Sequence, residues 1–295
     1  MRELHKSYGD QAVLAGINFE IDSGEVFALL GPNGAGKTTT VEILEGYRDP
    51  TAGEVGVLGF DPWTHPIEPR ERTGVVLQEC GFPNHLRVRE LLDAWRGYYR
   101  EPRPTAELLE LVELTAERSR LVRRLSGGQR RRLDFALALA GDPDVIFLDE
   151  PTTGFDPEAR RRCWAAIENL STLGKCIVLT THYLDEAERL ADRIAILADG
   201  RIRAMGTAVE LAHLARAPTL IRLRLPASVP LDSELVLDGA WFCDNGTLTV
   251  RTHHPSAVLQ ELIHAFDELP ALVVTPPNLE ANYLTLVADT EPLPA

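Results

Sequence analysis

A glycine-rich run of eight residues gives the strongest chemical signal in the sequence. It reads Gly-Pro-Asn-Gly-Ala-Gly-Lys-Thr from Gly31 to Thr38, the spacing of a phosphate-binding loop, and follows an apolar strand at Val26–Leu30. Glycines let successive backbone N–H groups point into one concavity, and the predicted next helix adds its positive N-terminal end. The pattern predicts a nucleoside triphosphate site formed by Gly31, Pro32, Asn33, Gly34, Ala35, Gly36, Lys37, Thr38 and Thr39.

Two carboxylates follow a second apolar strand, Val145–Leu148. Ligands of open α/β sheets bind at the carboxyl ends of the strands, which is where Asp149 and Glu150 lie in sequence. Beside a phosphate loop their roles differ. We expect Asp149, with the hydroxyl of Thr38, to hold Mg²⁺, and Glu150 to orient and deprotonate the attacking water. An isolated Asp-Glu pair more often ends in a solvated loop, so the loop at 31–38 carries this interpretation.

A third motif, Leu125-Ser126-Gly127-Gly128-Gln129, precedes a helix predicted over Arg130–Ala140. Its glycines leave the N–H groups at the helix start accessible, and such an end, together with the Ser126 hydroxyl, can hold a γ-phosphate. The loop and carboxylates alone leave a kinase, a GTPase or a motor open. With this third motif the chain resembles the ABC ATPase family over nearly all of residues 4–215.

The resemblance implies four further site residues. Tyr8 matches the aromatic residue that stacks on adenine, and Gln78 the glutamine that contacts Mg²⁺ and the attacking water. Asp156 matches the loop that crosses the dimer, and His182 the histidine that contacts the γ-phosphate. Each of these, taken alone, is more often an ordinary surface or capping residue; their order along the chain favours the functional reading.

The family also implies partners and a reaction. Two chains, expected here to form a homodimer, close around two ATP molecules with Mg²⁺. The signature residues Leu125–Gln129 of one chain complete the phosphate site of the other, and hydrolysis drives a separate membrane permease. The tail Pro276–Leu284 and the segment Glu45–Pro50 are similar to exporter ATPases of the antibiotic and multidrug type. This implies export of a drug, antibiotic or lipid-like compound through six-helix permease subunits.

Composition narrows the setting in which such a motor works. The chain has 295 residues, of which 44% are hydrophobic, yet no apolar run is long enough to span a bilayer and no secretory signal precedes the first motif. A net charge of −14 argues against nucleic acid as a partner. The four cysteines show no metal-ligand spacing. We therefore expect a cytoplasmic protein that is peripheral on the inner face of the plasma membrane through its permease.

The predicted fold is α/β, a P-loop NTPase with a mostly parallel core sheet. Strands and helical patterns alternate over residues 1–215, and a helical subdomain is predicted at about 79–135. A small α+β domain, accessory or regulatory, is predicted over residues 216–295, with a hairpin turn at Asn245-Gly246. Only seven residues precede Tyr8, so either the edge strand usual in the family is missing or the true start codon lies upstream.

Two other function classes were weighed. A soluble ABC ATPase acting on ribosomes or DNA would carry a second cassette or a long coiled coil between Lys37 and Asp149, and neither pattern is present. A regulatory nucleotide-binding subunit with little turnover is the other alternative. The presence of both Glu150 and His182 argues against it.

Overall fold

The computed structural model describes residues 1–76, 81, 83–214, 218–225, 237–266, 269–276, 279–280 and 283. The chain divides into two compact units, Met1–Ala208 (the first unit) and Val209–Thr290 (the second unit). The division lies a few residues before the predicted boundary at 215. Within the described ranges, no helix combines the length and the apolar character needed to cross a membrane.

The strands are β1 (Arg2–Tyr8), β2 (Gln11–Ile17), β3 (Val26–Leu30), β4 (Ala52–Glu54), β5 (Thr73–Val76), β6 (Val145–Asp149), β7 (Cys176–Thr181), β8 (Arg193–Ala198), β9 (Arg201–Gly206), β10 (Thr219–Arg224), β11 (Ala240–Asp244), β12 (Thr247–Thr252) and β13 (Val273–Thr275). The α-helices are α1 (Lys37–Leu44), α2 (Ile67–Glu71), α3 (Val88–Arg96), α4 (Thr105–Leu111), α5 (Gly127–Ala138), α6 (Pro157–Thr172), α7 (Leu184–Leu190), α8 (Ala208–Leu214) and α9 (Pro255–Ala265), and short 3₁₀ turns occupy Thr115–Glu117 and Val122–Arg124.

A six-stranded sheet in the order β5-β6-β7-β3-β8-β9 forms the centre of the first unit. Every pairing is parallel except that of the edge strand β9, which confirms the mostly parallel sheet. Strands β3, β6 and β7 are buried along their whole length, as expected of apolar runs covered on both faces. Because β3 pairs with β7 and β7 with β6, their carboxyl ends lie side by side.

A three-stranded antiparallel sheet, β2-β1-β4, lies beside this core. Its central strand is Arg2–Tyr8, so a strand leading into Tyr8 is present although only seven residues precede Tyr8, and it pairs on both sides rather than lying at an edge. The sheet reaches the phosphate loop through β2, because Leu14 and Val13 are the nearest neighbours of Gly36. This contact places the β1–β2 hairpin, and Tyr8 with it, beside the loop.

The predicted helical subdomain contains α3, α4 and α5. Helix α3 is followed by α4, which ends at Leu111, before a 3₁₀ turn at Thr115–Glu117. Helix α5 begins at Gly127 rather than at residue 130. Two glycines are poor helix formers, but the Ser126 cap stabilises the first turn and extends the helix backwards.

The second unit is a four-stranded antiparallel sheet, β11-β12-β10-β13, with helix α9. The predicted hairpin is present, with Asn245 and Gly246 both at positive φ between β11 and β12. Ile221, Leu248, Val250, Val258 and Leu262 form its fully buried core. Most of the tail at residues 276–284, used above for the exporter resemblance, lies outside the described residues.

Candidate functional site

The phosphate loop joins the end of β3 to the start of α1. Gly34 and Gly36 have φ of 82° and 105°, which residues with a side chain rarely adopt, and a Cβ on Gly36 would lie 2.5 Å from Leu14 Cδ2. No side chain caps the N-terminus of α1, so its backbone N–H groups have no side-chain acceptor. The loop is therefore built to accept an anion.

Lys37 is the cation of this loop. Its side chain is only 4% exposed, and the ammonium donates hydrogen bonds to the backbone oxygens of Gly31 at 2.9 Å and Pro32 at 3.1 Å. It also lies 3.4 Å from Glu150 Oε1. A buried ammonium held by carbonyl groups inside the loop can meet a phosphate without leaving its place.

Thr38 and Asp149 form an oxygen pair beside the loop. The Thr38 hydroxyl lies 3.3 Å from each carboxylate oxygen of Asp149, and Thr180 donates to Asp149 Oδ1 from β7. A hydroxyl and a carboxylate converging next to a phosphate loop are the hard oxygen ligands that Mg²⁺ takes together with phosphate oxygens. The residues present thus fit a magnesium ion.

Glu150 follows directly after β6 and has an unusual backbone conformation, with φ of 42°. Burial by itself would raise the pKa of its carboxyl. The Lys37 ammonium, the Thr153 hydroxyl and His182 outweigh burial and hold this pKa below its ordinary value. Glu150 is therefore ionised, as a group that accepts a proton from water must be.

Two side chains from different parts of the chain contact Glu150 Oε2. His182 Nδ1 lies 3.4 Å away and the Thr153 hydroxyl donates a hydrogen bond at 3.0 Å. His182 follows β7, whose end lies beside that of β6, so the predicted grouping of Lys37, Thr38, Asp149, Glu150 and His182 is present in the structure. The sequence analysis missed Thr153 because a threonine in a loop has no pattern of its own.

Glu45 is a second residue that the sequence analysis did not identify. It follows the last residue of α1 and is buried, and its Oε1 has no hydrogen-bond partner in the described part of the chain. Burial, with the negative charges of Asp149 and Glu42, raises its pKa to about 8. A proton on Glu45 therefore limits the negative charge that accumulates near Asp149.

Tyr8 stands at the outer edge of the site, at the end of β1. Its ring is 42% exposed, and the cationic groups of Lys6 and Arg48 lie 5.2 and 5.5 Å from the ring centroid. An exposed aromatic face flanked by cations can stack on a planar base.

The signature residues lie elsewhere, at the start of α5. Ser126 Oγ accepts from the Gln129 N–H at 3.2 Å, Gln129 Oε1 accepts from the Ser126 N–H at 3.0 Å, and Gln129 Nε2 reaches Glu117. Leu125 is buried, whereas Ser126, Gly127 and Gly128 face solvent or are partly covered. None of the hydrogen bonds or ion pairs of the described residues joins these five residues to the phosphate loop.

Asp156 also caps a helix, accepting from the N–H groups of Glu158 and Ala159 at the start of α6. It has no such contact with the loop either. Gln78 lies outside the described residues. Among those that are described, no three His, Cys, Asp or Glu side chains are grouped to hold a metal ion, and burial raises the pKa values of the Cys163 and Cys176 thiols to about 12 and 11.

The sequence matches the family model described as ABC transporter over residues 14–153. It is 40% identical over 239 residues to a Nod factor export ATP-binding protein I from Burkholderia orbicola, covering 79% of each chain. A protein of the same name from Paraburkholderia xenovorans is 40% identical over 238 residues, covering 79% of this chain and 78% of the relative.

Solved structures of ABC ATPases share the fold. An ATP-binding subunit of an ABC transporter superposes with a TM-score of 0.64 at 29% identity, covering 71% of this chain and 90% of that one. A dimeric post-hydrolysis state of an ATP-binding cassette, bound to ADP and Pi, gives 0.62 at 27% identity, covering 70% and 97%. The chain therefore belongs to the family of ABC transporter ATP-binding proteins, and it is an ATPase.

Proposed function

We propose that this protein is the motor of an ABC exporter, in which two copies hydrolyse Mg²⁺-ATP and drive a membrane permease. One observation carries the proposal: Lys37, Thr38, Asp149, Glu150 and His182 meet around one phosphate loop. Cation, metal ligands, base and histidine are the parts that phosphoryl transfer to water needs.

Each residue of the site has a separate role. Lys37 and the N–H groups at the start of α1 hold the phosphates, and Tyr8 stacks on the base. Thr38 and Asp149, with Gln78, would hold Mg²⁺, which when bound would neutralise charge on the phosphates. Glu150 orients and deprotonates the water, and His182 contacts the γ-phosphate.

The Lys37–Glu150 contact gives the site a way to sense nucleotide. Lys37 Nζ lies 3.4 Å from Glu150 Oε1, and against the effect of burial it helps to hold the pKa of that carboxyl below its ordinary value. A γ-phosphate bound in the loop would compete with Glu150 for the same ammonium.

A second copy completes the site. Leu125–Gln129 present a solvent-facing helix start that makes no contact with this chain's own loop, and a helix N-terminus binds an anion readily. The γ-phosphate would then link the loop of one copy to Ser126 of the other, with Asp156 in the loop that crosses between them. Loss of that phosphate weakens the link, and the copies separate.

An exposed aromatic patch supports a membrane partner. The patch consists of Tyr47, Ile67, Trp95 and Tyr98, of which Tyr98 is 82% exposed. Arg70 lies over the Tyr47 ring at 5.3 Å, and an Arg100–Glu71 ion pair of 3.8 Å ties α2 to the segment after α3, so these side chains share one surface. Exposed aromatic clusters mark protein contact sites, and we assign this one to the permease.

The cargo is the least constrained part of the proposal. The curated relatives are named for Nod factor export, which supports export as the direction of transport. A drug, antibiotic or lipid-like cargo and a permease of six-helix subunits rest only on the resemblance of the tail Pro276–Leu284 and the segment Glu45–Pro50 to exporter ATPases. The names of these relatives give no support to a drug as the cargo.

Co-purification tests the transporter role. The tagged protein, purified from detergent-solubilised membranes, should carry a polytopic membrane protein with it. Tyr98→Ala combined with Tyr47→Ala should lose that protein while ATP hydrolysis by the isolated ATPase is kept. Recovery without any membrane protein, or equal capture by wild type and variant, would contradict the assignment of the patch.

A further inference from the structure

The strained backbone at Glu150 needs anchors. A non-glycine residue at φ of 42° persists only where its surroundings fix it. One anchor is β7, since the Glu150 N–H donates to the carbonyl oxygen of Thr180 at 3.2 Å and to its hydroxyl at 3.0 Å. These two hydrogen bonds fix the start of the turn at residues 150–153. The end of the turn requires a separate contact.

A fully buried carboxylate provides it. Glu186, on α7, is 0% exposed, and its Oε1 accepts hydrogen bonds from the Thr152 hydroxyl at 2.8 Å and from Trp164 Nε1 at 2.9 Å. Within the described part of the chain, its Oε2 has no hydrogen-bond partner and no cation forms an ion pair with the group. Burying such a group is costly, so a packing role alone would be served better by an apolar residue.

The neighbouring carbonyl is held from a third side. Arg131 Nε, on α5, donates to the Pro151 oxygen at 3.1 Å, and Cys163 Sγ lies 3.8 Å from the same oxygen. The turn that carries Glu150 is thus tied to β7, to α7 and to α5. Helix α7 begins just after His182, and α5 begins just after Ser126.

We infer that Glu186, acting through the Thr152 hydroxyl, is a positioning residue for hydrolysis. It fixes the turn that holds Glu150 and ties that turn to the helix following His182, so the base and the histidine keep their separation. Neither Glu186 nor Thr152 touches the loop residues that bind phosphate. The inference rests on the proposed function, because it assigns Glu150 the role of base.

Matched variants on one acceptor atom test this. Thr152→Val removes the hydroxyl with little change of volume, and Thr152→Ser restores it. Trp164→Phe removes the other hydrogen bond to Glu186 Oε1, from α6, and leaves the turn untouched. We expect Thr152→Val to lower kcat about tenfold or more with KM for ATP unchanged, because small misplacements of a catalytic group cost on the order of that factor. The kcat values of Thr152→Ser and Trp164→Phe should stay within about twofold of wild type, because both variants keep the hydrogen bond from residue 152 to Glu186.

Stability is measured alongside by thermal unfolding. If Thr152→Val and Trp164→Phe lower kcat equally, or in proportion to their losses of Tm, Glu186 is a structural residue and the inference is wrong. Unchanged kcat in Thr152→Val also overturns it. If Thr152→Val does not fold, Thr152→Ala is judged by the same comparison with Thr152→Ser.

Failure of the proposed function gives a different result. In that case the wild-type protein itself would show no Mg²⁺-dependent ATP hydrolysis. The Thr152→Val change placed in Glu150→Gln should still give an ATP-dependent dimer, because binding of nucleotide is left intact. Loss of that dimer would contradict a role confined to positioning the base.

Discussion

Two helix N-termini in the first unit are suited to binding an anion in different ways. Helix α1 begins at Lys37, after Gly36 at its cap position without a side-chain cap, and lies beside a buried lysine and the paired oxygens of Thr38 and Asp149. Helix α5 begins at Gly127, and the preceding Ser126 caps it reciprocally with Gln129 and faces solvent. The first end makes a nearly complete site within one chain. The second can contribute only to something outside the chain, which is why we assign it to a partner's nucleotide.

The largest expected effect comes from the α1 end. Lys37→Ala removes the buried ammonium, so phosphate must be held against the Asp149 and Glu150 carboxylates without a counterion. We expect ATP binding to be undetectable in a fluorescent-nucleotide titration and turnover to fall more than about a hundredfold. Lys175→Ala is the matched control, since Lys175 pairs with Asp142 and contacts no loop residue. Retained nucleotide binding in Lys37→Ala would contradict the assigned site.

The α5 end should respond in a different assay. Ser126→Asp keeps an oxygen that can cap the helix but places a negative charge where a partner's γ-phosphate would lie. Binding of ATP by the monomer should be unchanged, whereas turnover should fall about tenfold or more, as for the loss of a direct phosphate donor.

Ser126→Thr, which keeps both the cap and the neutral hydroxyl, serves as its control and should behave like wild type. Circular dichroism checks that helix α5 is retained in both variants. If Ser126→Asp weakened ATP binding as strongly as Lys37→Ala, the two ends would belong to one site within a single chain.

A smaller effect is expected for one buried carboxyl near each of the two helices, Glu45 after α1 and Asp134 within α5. Burial raises the pKa of Glu45 from 4.5 to about 8, so between those values the folded protein keeps a proton that the unfolded chain loses. Its contribution to stability therefore falls as pH rises through this window. Glu45→Gln removes that dependence, and its Tm relative to wild type should rise from about pH 5 to about pH 8 and then level off.

Asp134 on α5 gives the matched case, because burial raises its pKa to about 7 while Arg131 at 3.6 Å opposes the shift. Asp134→Asn loses that ion pair, so its gain at high pH should be smaller. The measurement is thermal unfolding in buffer containing a chelator. A pH-independent difference between Glu45→Gln and wild type would show that Glu45 is ionised throughout.

Part of the fold and of the site can be predicted from the sequence for a physical reason. Apolar runs buried on both faces predict parallel strands whose carboxyl ends meet at one edge, so the neighbourhood of Lys37 and Asp149 could be predicted from the sequence, whereas His182 was implied by the family resemblance. Thr153 beside Glu150, Glu45 near Asp149 and Glu186 below Thr152 could not. Each depends on how a loop or helix end packs, and a single polar residue carries no periodic signal.

The same limit explains why the sequence alone left the presence of the N-terminal strand in question. The seven residues before Tyr8 left the presence of a strand in question, yet Arg2–Tyr8 form the central strand of a three-stranded sheet, paired with β2 on one side and β4 on the other. Pairing to strands on both sides supplies hydrogen bonds that the short sequence alone does not indicate. Cross-strand partners distant in sequence, not local propensity, decide such an element.

The central claim is that the two helix ends meet only across a pair of chains with ATP between them. Glu150→Gln removes the base while leaving Lys37, Thr38 and Ser126 in place, so nucleotide binds and is not hydrolysed. Size-exclusion chromatography of this variant, with Mg²⁺-ATP and with Mg²⁺-ADP, tests the claim most directly. We predict a dimer with ATP and a monomer with ADP; a monomer under both conditions, with bound ATP demonstrated, would contradict the account.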